Sequence, residues 1–238
     1  MSKKIMLAVI SGATRGIGRA LSFAFAAEGL NLAITARSES DLKTLSEELK
    51  LKYPLIEVLF YSADFSKKEE IKAFNSAILE KFQVPEVIIN NVGIYTIGKV
   101  SEESDEEFEQ NMAINFNSAW YFTKPFLPAL KIKGKGHIFN ICSVVSKEPR
   151  ASAASYSISK MALYGFNKVL CEEMREYNIK VTAVLPGSVN TSSWKGINAP
   201  IETFVQAEDI SSAIIAAYKT SAFALTEEII IKPLDKNY

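Results

Sequence analysis

Short apolar runs alternate with longer amphipathic segments along the chain, and this alternation restricts its fold more than any other feature. Strands that are apolar along nearly their whole length are buried on both faces, as in parallel sheets covered by helices. The regular strand–helix order therefore predicts a doubly wound α/β fold, with a parallel sheet of about seven strands and helices on both faces. The strands are predicted over residues 5–10, 31–36, 56–62, 86–90, 137–142, 179–185 and 228–231.

Two capping boxes predict where helices begin. In each, a serine is followed three residues later by a glutamate, and the two side chains can bond each other's backbone N–H groups. Ser66 with Glu69 predicts a helix through about residue 82, and Ser104 with Glu107 predicts a long helix toward Pro125. Further helices are predicted over residues 16–28, 155–177 and 207–218, and around Leu42, Leu45 and Leu49.

Composition and charge exclude several classes of protein. Hydrophobic residues make up 48% and charged residues 23%, a globular rather than a disordered mixture. The 27 Lys and Arg residues balance the 27 Asp and Glu residues, which argues against binding nucleic acid through its phosphates. Cys142 and Cys171 lie too far apart for a CxxC motif, and with His137 as the single histidine we expect no metal site. No apolar run approaches the ~20 residues of a membrane helix, so we expect a soluble, cytoplasmic protein.

A glycine-rich turn with the spacing GxxxGxG follows the first predicted strand. Glycine lets the backbone approach a pyrophosphate closely, and the N–H groups that open the next helix then face the phosphates. Three glycines in a strand–helix turn can also serve packing alone, but the position between the first strand and the first helix favours a dinucleotide site. The predicted cofactor-binding residues of this turn are Gly12, Thr14, Arg15, Gly16, Ile17 and Gly18.

The end of the second predicted strand indicates which dinucleotide binds. An NAD site would carry an acidic residue here for the ribose 2′-OH, and none is present. Arg37 instead offers a guanidinium that suits a 2′-phosphate, and Arg15 could reach the same group. The alternative is that both are ordinary surface arginines. Because both flank the predicted adenosine ribose, NADP is favoured over NAD.

A Tyr–Lys pair on one helix points to proton transfer. Tyr156 and Lys160 lie four residues apart, hence one turn apart on the same helix face. A tyrosine with a pKa near ~10 is a weak acid at neutral pH, and a nearby ammonium would lower that pKa. Ser143 ends the fifth predicted strand, where the carboxyl ends of strands line the ligand crevice of such a sheet.

Together these motifs resemble the short-chain dehydrogenase/reductase family over essentially the whole chain. The resemblance implies one Rossmann-type domain over residues 1–238, with a substrate lid at about 188–206. It implies that Asn115, Ser143, Tyr156 and Lys160 form the catalytic tetrad. Besides the glycine turn and Arg37, the matching cofactor-binding positions are Asp64, Asn91, Val92, Gly93, Tyr156, Lys160, Pro186, Gly187, Val189 and Thr191. Two positions depart from the family pattern: Ser11 replaces a Thr, and Val92 replaces an Ala.

The resemblance also implies the chemistry. A carbonyl is reduced reversibly to an alcohol with hydride from NADPH, and Tyr156 gives the proton to the carbonyl oxygen. Lys160 lowers the Tyr156 pKa and bonds the nicotinamide ribose, Ser143 orients and polarises the carbonyl, and Asn115 supports a proton relay through Lys160 and water. Family members usually form homodimers or homotetramers.

The substrate is less constrained by the sequence. The predicted substrate wall is apolar and aromatic, which suggests a small, flat or apolar carbonyl compound. Its residues are Ser143, Val145, Tyr95, Trp194 and Phe204, although the last two could merely pack the lid. The C-terminal part is similar to bacterial sepiapterin-reductase-like members. The alternatives are a reductase of 3-oxoacyl thioesters, one of small diketones or hydroxy acids, and a non-catalytic NADP-binding redox sensor.

Overall fold

A single parallel sheet of seven strands runs through the molecule, as predicted. The computed structural model describes residues 6–191 and 200–234. The strand order is β3-β2-β1-β4-β5-β6-β7, and every neighbouring pair is parallel. The strands are β1 (Leu7–Ser11), β2 (Asn31–Ala36), β3 (Val58–Ser62), β4 (Val87–Asn90), β5 (Gly136–Ile141), β6 (Ile179–Pro186) and β7 (Glu228–Ile231).

Helices cover both faces of the sheet. They are α1 (Gly16–Ala27), α2 (Glu39–Lys52), α3 (Lys68–Phe82), α4 (Asp105–Met112), α5 (Ser118–Thr123), α6 (Leu127–Lys133), α7 (Ala154–Arg175) and α8 (Ala207–Tyr218). Helices α1, α2 and α8 share one apolar core with the sheet, and α3, α5, α6 and α7 share the other. In residues 6–191 and 200–234, no helix combines the length and the apolar character needed to span a membrane.

Strand β1 shows why nearly continuous apolar runs fit this architecture. Successive side chains of a strand point to opposite faces of the sheet. Ala8 and Ile10 accordingly belong to the core under α1, whereas Leu7 and Val9 belong to the core under α3. All four are buried, so neither face of this strand meets water.

The long helix predicted from Ser104 begins as expected but is not regular. Ser104 and Glu107 form the reciprocal capping box that opens α4. The chain then passes through a five-residue π turn at Ala113–Asn117 before α5. It continues beyond Pro125 through a tight turn at Lys124–Phe126 into α6. Proline is tolerated here because it stands in the first turn of a helical segment, where its missing N–H is not needed.

The capping box predicted at Ser66 and Glu69 is wrong. The Ser66 backbone N–H and hydroxyl both donate to Asp64 Oδ1, at 2.9 and 2.8 Å, and α3 begins only at Lys68. The glutamate that bonds the backbone before α3 is Glu70 and not Glu69. Its Oε2 accepts from the Asp64 backbone N–H at 2.7 Å. Local hydrogen bonds to Asp64 have replaced the cap, because an aspartate side chain readily accepts from groups two residues further along the chain.

Candidate active site

A cleft of about 770 Å³ opens at the carboxyl ends of the strands, where the strand order reverses between β1 and β4. This is the crevice in which doubly wound sheets bind ligands. Most of the residues predicted from the sequence line it. From the predicted cofactor site these are Gly12, Thr14, Arg15, Gly16, Ile17, Arg37, Asp64, Asn91, Val92, Gly93, Pro186, Gly187, Val189 and Thr191. Ser143, Tyr156, Lys160, Val145 and Tyr95 line it as well.

The glycine turn is braced by the end of β4. Ser11 Oγ donates to Ile89 O at 3.2 Å and accepts from the backbone N–H of Asn91 at 2.9 Å. The Asn91 amide donates in turn to the backbone oxygens of Ser11 and Gly12, each at 3.0 Å. The Ser11 hydroxyl therefore links the end of β1 to the end of β4 through hydrogen bonds. It does so at the position where the sequence departs from the threonine of the family pattern.

Two glycines of the turn have distinct structural reasons. Gly12 has φ +66°, a conformation that side-chain-bearing residues rarely adopt. Gly18 does not line the cleft, but a Cβ there would lie 2.1 Å from the Gly12 carbonyl oxygen. Gly18 thus allows α1 to pack closely against the turn, which aims the first N–H groups of the helix at the cleft.

Positive charge collects at the outer end of the cleft, next to the glycine turn. Arg15 and Arg37 line this end together with Asp64. Burial would raise the Asp64 pKa, but hydrogen bonds from Ser66 and the nearby Lys67 and Arg37 cations leave it lowered. The carboxylate thus stays ionised as an acceptor, while the two guanidinium groups remain available for an anionic group such as a phosphate.

The segment that follows β6 closes this part of the cleft. Gly187 donates its backbone N–H to Ile231 O at 2.8 Å, which fixes the segment to β7. Thr191 reaches the glycine turn, since a Cβ on Gly16 would lie 2.9 Å from Thr191 Cγ2. The two predicted cofactor segments, far apart in sequence, therefore meet across the cleft.

Ser143 lies at the end of β5 in a short helical turn that is fastened to α7. Its backbone N–H donates to Ser146 Oγ at 3.3 Å, and Ser146 Oγ donates to Lys160 O at 2.9 Å. Its hydroxyl accepts from the Val145 backbone N–H at 3.3 Å. These bonds hold the serine beside the first turns of α7, where Tyr156 and Lys160 lie.

Burial raises the pKa of Tyr156, and its hydrogen-bond partner Ser143 lowers it by a smaller effect. The phenol is thus protonated at neutral pH. The lowering by Lys160 that we expected from the sequence is not what governs this pKa, because the Lys160 Nζ lies 6.0 Å from the centroid of the tyrosine ring. Tyr95 packs edge-on against the same ring, with centroids 4.9 Å apart.

Lys160 is buried beneath the cleft floor. Its Nζ donates to Ile141 O at 2.8 Å, and burial lowers its pKa from 10.5 to about 8. Below that pH the ammonium is charged and held by the backbone carbonyl. It is therefore poised to stabilise a negative charge that appears nearby.

Asn115 does not line the cleft but is buried directly behind it. Its amide donates to Ile94 O at 3.1 Å and to Ser159 Oγ at 2.9 Å, and its Oδ1 accepts from the Ile94 backbone N–H at 2.8 Å. A Cβ on Gly93 would lie 3.1 Å from Asn115 Oδ1 and 3.3 Å from Lys160 Nζ, so both polar atoms face this glycine. The π turn of Ala113–Asn117 carries the asparagine, and such turns often occur at functional sites.

The predicted substrate wall is only partly found at the cleft. Tyr95 and Val145 line it, and Tyr95 is 38% exposed. Phe204 is buried and absent from the lining, which agrees with the alternative that it packs the lid. An isolated β-bridge joins Val189 and Val205, which lie near the two ends of the segment predicted as a lid. Trp194 lies outside the described residues.

Sequence reasoning missed several residues that the fold brings to the cleft. The missed lining residues are Ala36, Ser38, Ala63, Phe65, Ser66, Ile114, Ile141, Cys142, Arg150 and Ser188, whereas Ile94 and Val144 line the cleft where the sequence predicts wall residues. Most of these are neighbours of residues that were predicted, so their position follows from the motif. Arg150 is different, because it lies in the loop before α7 and nothing in its sequence surroundings marks it as a site residue.

A comparison with protein-family models matches residues 6–202 to the model of short chain dehydrogenases. A sepiapterin reductase from Chlorobaculum tepidum is 27% identical over 239 residues, which cover 97% of this chain and 96% of that protein. These similarities extend across both ends of the cleft.

Two solved structures with the same fold are complexes with NADP or with 5-hydroxy-NADP. An alcohol dehydrogenase from the archaeon Thermococcus sibiricus, complexed with 5-hydroxy-NADP, superimposes with a TM-score of 0.89 at 28% identity, over 97% of each chain. A metagenomic short-chain oxidoreductase in complex with NADP gives a TM-score of 0.85 at 26% identity, over 97% of this chain and 98% of that one.

Proposed function

The chain belongs to the short-chain dehydrogenase family, and from this premise we propose that it reduces the carbonyl of a small, flat or apolar substrate with NADPH. The observation that carries the proposal is the content of one cleft. Ser143, Tyr156 and Lys160 lie at one end, and the glycine turn with Arg15 and Arg37 lies at the other. A protein of this family that only sensed NADP would have no need of the first group.

The residues of the cleft fit a dinucleotide that carries a 2′-phosphate. The glycine turn leaves room for a backbone-bound pyrophosphate, because Gly12 and Gly18 have no side chain to keep it away. Arg15 and Arg37 suit the 2′-phosphate, and the Asp64 carboxylate in the same lining can accept a hydrogen bond from an adenine amino group. NADPH, when bound, supplies the hydride that reaches the carbonyl carbon.

Tyr156 donates the proton that the reduced oxygen needs. Its pKa is raised by burial, so the phenol holds its proton at neutral pH until the oxygen becomes strongly basic. Lys160, whose Nζ lies 6.0 Å from the centroid of the tyrosine ring, adds a longer-range attraction for the phenolate that is smaller than the effect of burial. The oxygen of the substrate accepts a hydrogen bond from Ser143 while it gains negative charge, which is where a donor lowers the barrier most.

Asn115 acts behind these groups as a positioning residue. Its amide holds Ile94 after β4 and Ser159 in α7 at a fixed separation, and Ser159 Oγ donates to Tyr156 O at 2.8 Å. With Oδ1 close to Lys160 Nζ across Gly93, it can also hold a water through which Lys160 regains a proton.

The apolar and aromatic lining around Tyr95 and Val145 supports a flat or apolar substrate. The similarity to a sepiapterin reductase supports a sepiapterin-like compound as the first candidate. A 3-oxoacyl thioester and a small diketone or hydroxy acid are the alternatives. The single-domain organisation, the cytoplasmic location and the dimer or tetramer expected from the sequence stay predictions.

The test is NADPH oxidation, followed by absorbance, for the wild type and for Tyr156→Phe. The panel holds sepiapterin, a diketone, a 3-oxoacyl thioester and an aromatic ketone. We expect kcat to fall roughly 10²- to 10⁴-fold in the variant, with NADPH affinity unchanged, because only a general acid is lost. Tyr95→Phe is the matched control, since it removes a neighbouring hydroxyl and is expected to keep most of the activity. Undiminished turnover by Tyr156→Phe contradicts the mechanism, and tight NADPH binding without turnover of any compound favours the redox-sensor alternative.

A further inference from the structure

The five arginines of the chain fall into two groups. Arg19 and Arg175 form ion pairs with glutamates on the surface, at Glu48 and Glu227. Arg15, Arg37 and Arg150 form no ion pair with any carboxylate in the described part of the chain, and all three line the cleft. Guanidinium groups that form no ion pair and are gathered around one cavity are suited to bind the anionic groups of small molecules.

The three arginines lie at opposite ends of the cleft. Arg15 and Arg37 flank the glycine turn, where the proposed cofactor accounts for them. Arg150 instead belongs to the end that holds Ser143 and Tyr156, and its positive charge is among those that act on the Tyr156 phenol. No acidic side chain of the described residues lines that end, because Asp64, beside the glycine turn, is the acid in the lining.

The backbone of Arg150 is fixed relative to the reacting groups. Its N–H donates to Ser157 Oγ at 3.2 Å, and its carbonyl oxygen accepts from the Ala153 N–H at 3.0 Å. Both partners lie at the start of α7, next to Tyr156. The backbone at Arg150 is therefore fixed, while its long aliphatic side chain is flexible. The guanidinium can reach a substrate group in the cleft without a movement of the backbone.

Neighbouring charges in the same loop are already neutralised. Lys147 pairs with Glu228, and Glu148 pairs with Lys232 at 3.2 Å. The other charges of the loop between β5 and α7 thus pair with residues of β7 or just after it, whereas Arg150 lines the cleft.

We propose that Arg150 binds a carboxylate of the substrate. Among the candidates named above, this favours the hydroxy-acid alternative, in which small apolar oxo acids are reduced, over sepiapterin and other neutral ketones. The inference rests on the proposed carbonyl reduction and adds the substrate class to it. A single guanidinium matches a monoanionic carboxylate through two parallel N–H···O bonds, whereas a phosphate dianion calls for further cations. The apolar lining around Tyr95 and Val145 would hold the rest of the molecule.

The experiment compares matched acids and amides on wild type and Arg150→Met. Phenylglyoxylate and 4-oxo-4-phenylbutanoate are each paired with their primary amides, which keep the shape and remove the charge. We expect the wild type to favour the acids in kcat/KM by about 10- to 100-fold, the range for one charged hydrogen-bonded contact. In Arg150→Met this preference should vanish through a higher KM for the acids, while the KM for the amides stays as in the wild type. Arg175→Met, which loses a paired surface arginine, should behave as wild type.

Two results would overturn the inference while leaving the carbonyl reduction standing. One is equal kcat/KM for acid and amide in the wild type. The other is an equal loss for acid and amide in Arg150→Met. If the wild type reduces none of the four compounds, the proposed function is contradicted for this class. The carboxylate site is then decided by calorimetry with 3-phenylpropanoate on the NADP-loaded protein, where an equal Kd for wild type and Arg150→Met refutes it.

Discussion

Replacing Glu103 by alanine should destabilise the fold from a position outside the cleft. Glu103 Oε2 accepts from the Ser155 backbone N–H at 3.0 Å and from the Ser155 hydroxyl. The residue that precedes α7, Ala153, provides no side-chain cap of its own. A carboxylate from the loop before α4 therefore caps the helix that carries Tyr156 and Lys160.

The size of the effect follows from these contacts. Loss of an N-terminal cap costs about 1–2 kcal/mol, and loss of a negative charge at the positive end of a helix costs about 0.3–1 kcal/mol more. The sum is about 2 kcal/mol, and in a chain of this size each kcal/mol shifts Tm by roughly 2–4 °C. Glu103→Ala is thus expected to lower Tm by about 4–8 °C in a thermal unfolding scan.

Glu102→Ala is the matched control, because Glu102 forms only an exposed ion pair with Lys99. Such pairs contribute about 0–1 kcal/mol, so Tm should fall by no more than roughly 4 °C. Glu103→Gln keeps an acceptor for Ser155 and should recover part of the lost Tm. If Glu103→Ala melts no lower than Glu102→Ala, the carboxylate does not cap α7 and the reasoning fails.

Two other substitutions test the charges of the cleft. Arg37→Ala should raise the Kd for NADPH by roughly 10- to 100-fold and leave the Kd for NADH nearly unchanged. Both values are measured by fluorescence titration, with Arg19→Ala as the control. An equal loss of affinity for both cofactors would contradict the assignment of Arg37 to the 2′-phosphate. Lys160→Met should raise Tm at pH 7. Burial lowers the Lys160 pKa from 10.5 to about 8, so at pH 7 the folded chain bears a desolvated positive charge. This charge costs ~3 kcal/mol of stability, which the methionine variant does not lose. Between pH 8 and pH 10.5 the unfolded wild-type chain binds more protons than the folded one, so the wild type becomes more stable as the pH rises. The Tm advantage of Lys160→Met should therefore shrink over this range, and an advantage independent of pH would refute the argument from burial.

Elements whose signal lies within their own residues were predictable. The bounds of β2, α8 and β7 agree with those expected from apolar pattern and flanking turns. The parallel sheet followed from strands without a polar face, and most of the predicted site residues followed from motifs that sit at strand ends. Ile5, which the sequence places in the first strand, lies outside the described residues.

Features that depend on distant partners were not predictable. The π turn that carries Asn115 is held by contacts with Ile94 and Ser159, which come from other elements. The pKa of Tyr156 is raised by burial. The spacing of four residues between Tyr156 and Lys160 contains no information about how deeply the phenol is buried. Arg150 reaches the cleft because the loop before α7 folds back, a fact that no local pattern encodes.

The brace between Ser11 and Asn91 has a consequence for synthesis on the ribosome. The two residues are 80 positions apart, and β1 acquires β4 as its neighbour only when that segment has been made. At ~5–20 residues per second, about 4–16 s pass between translation of the two residues. During that interval the Ser11 hydroxyl lacks its bonds to the β4 segment, and the edge of β1 that later pairs with β4 is open. A nascent chain arrested before residue 91 would therefore expose a buried strand edge to chaperones rather than present a finished nucleotide site.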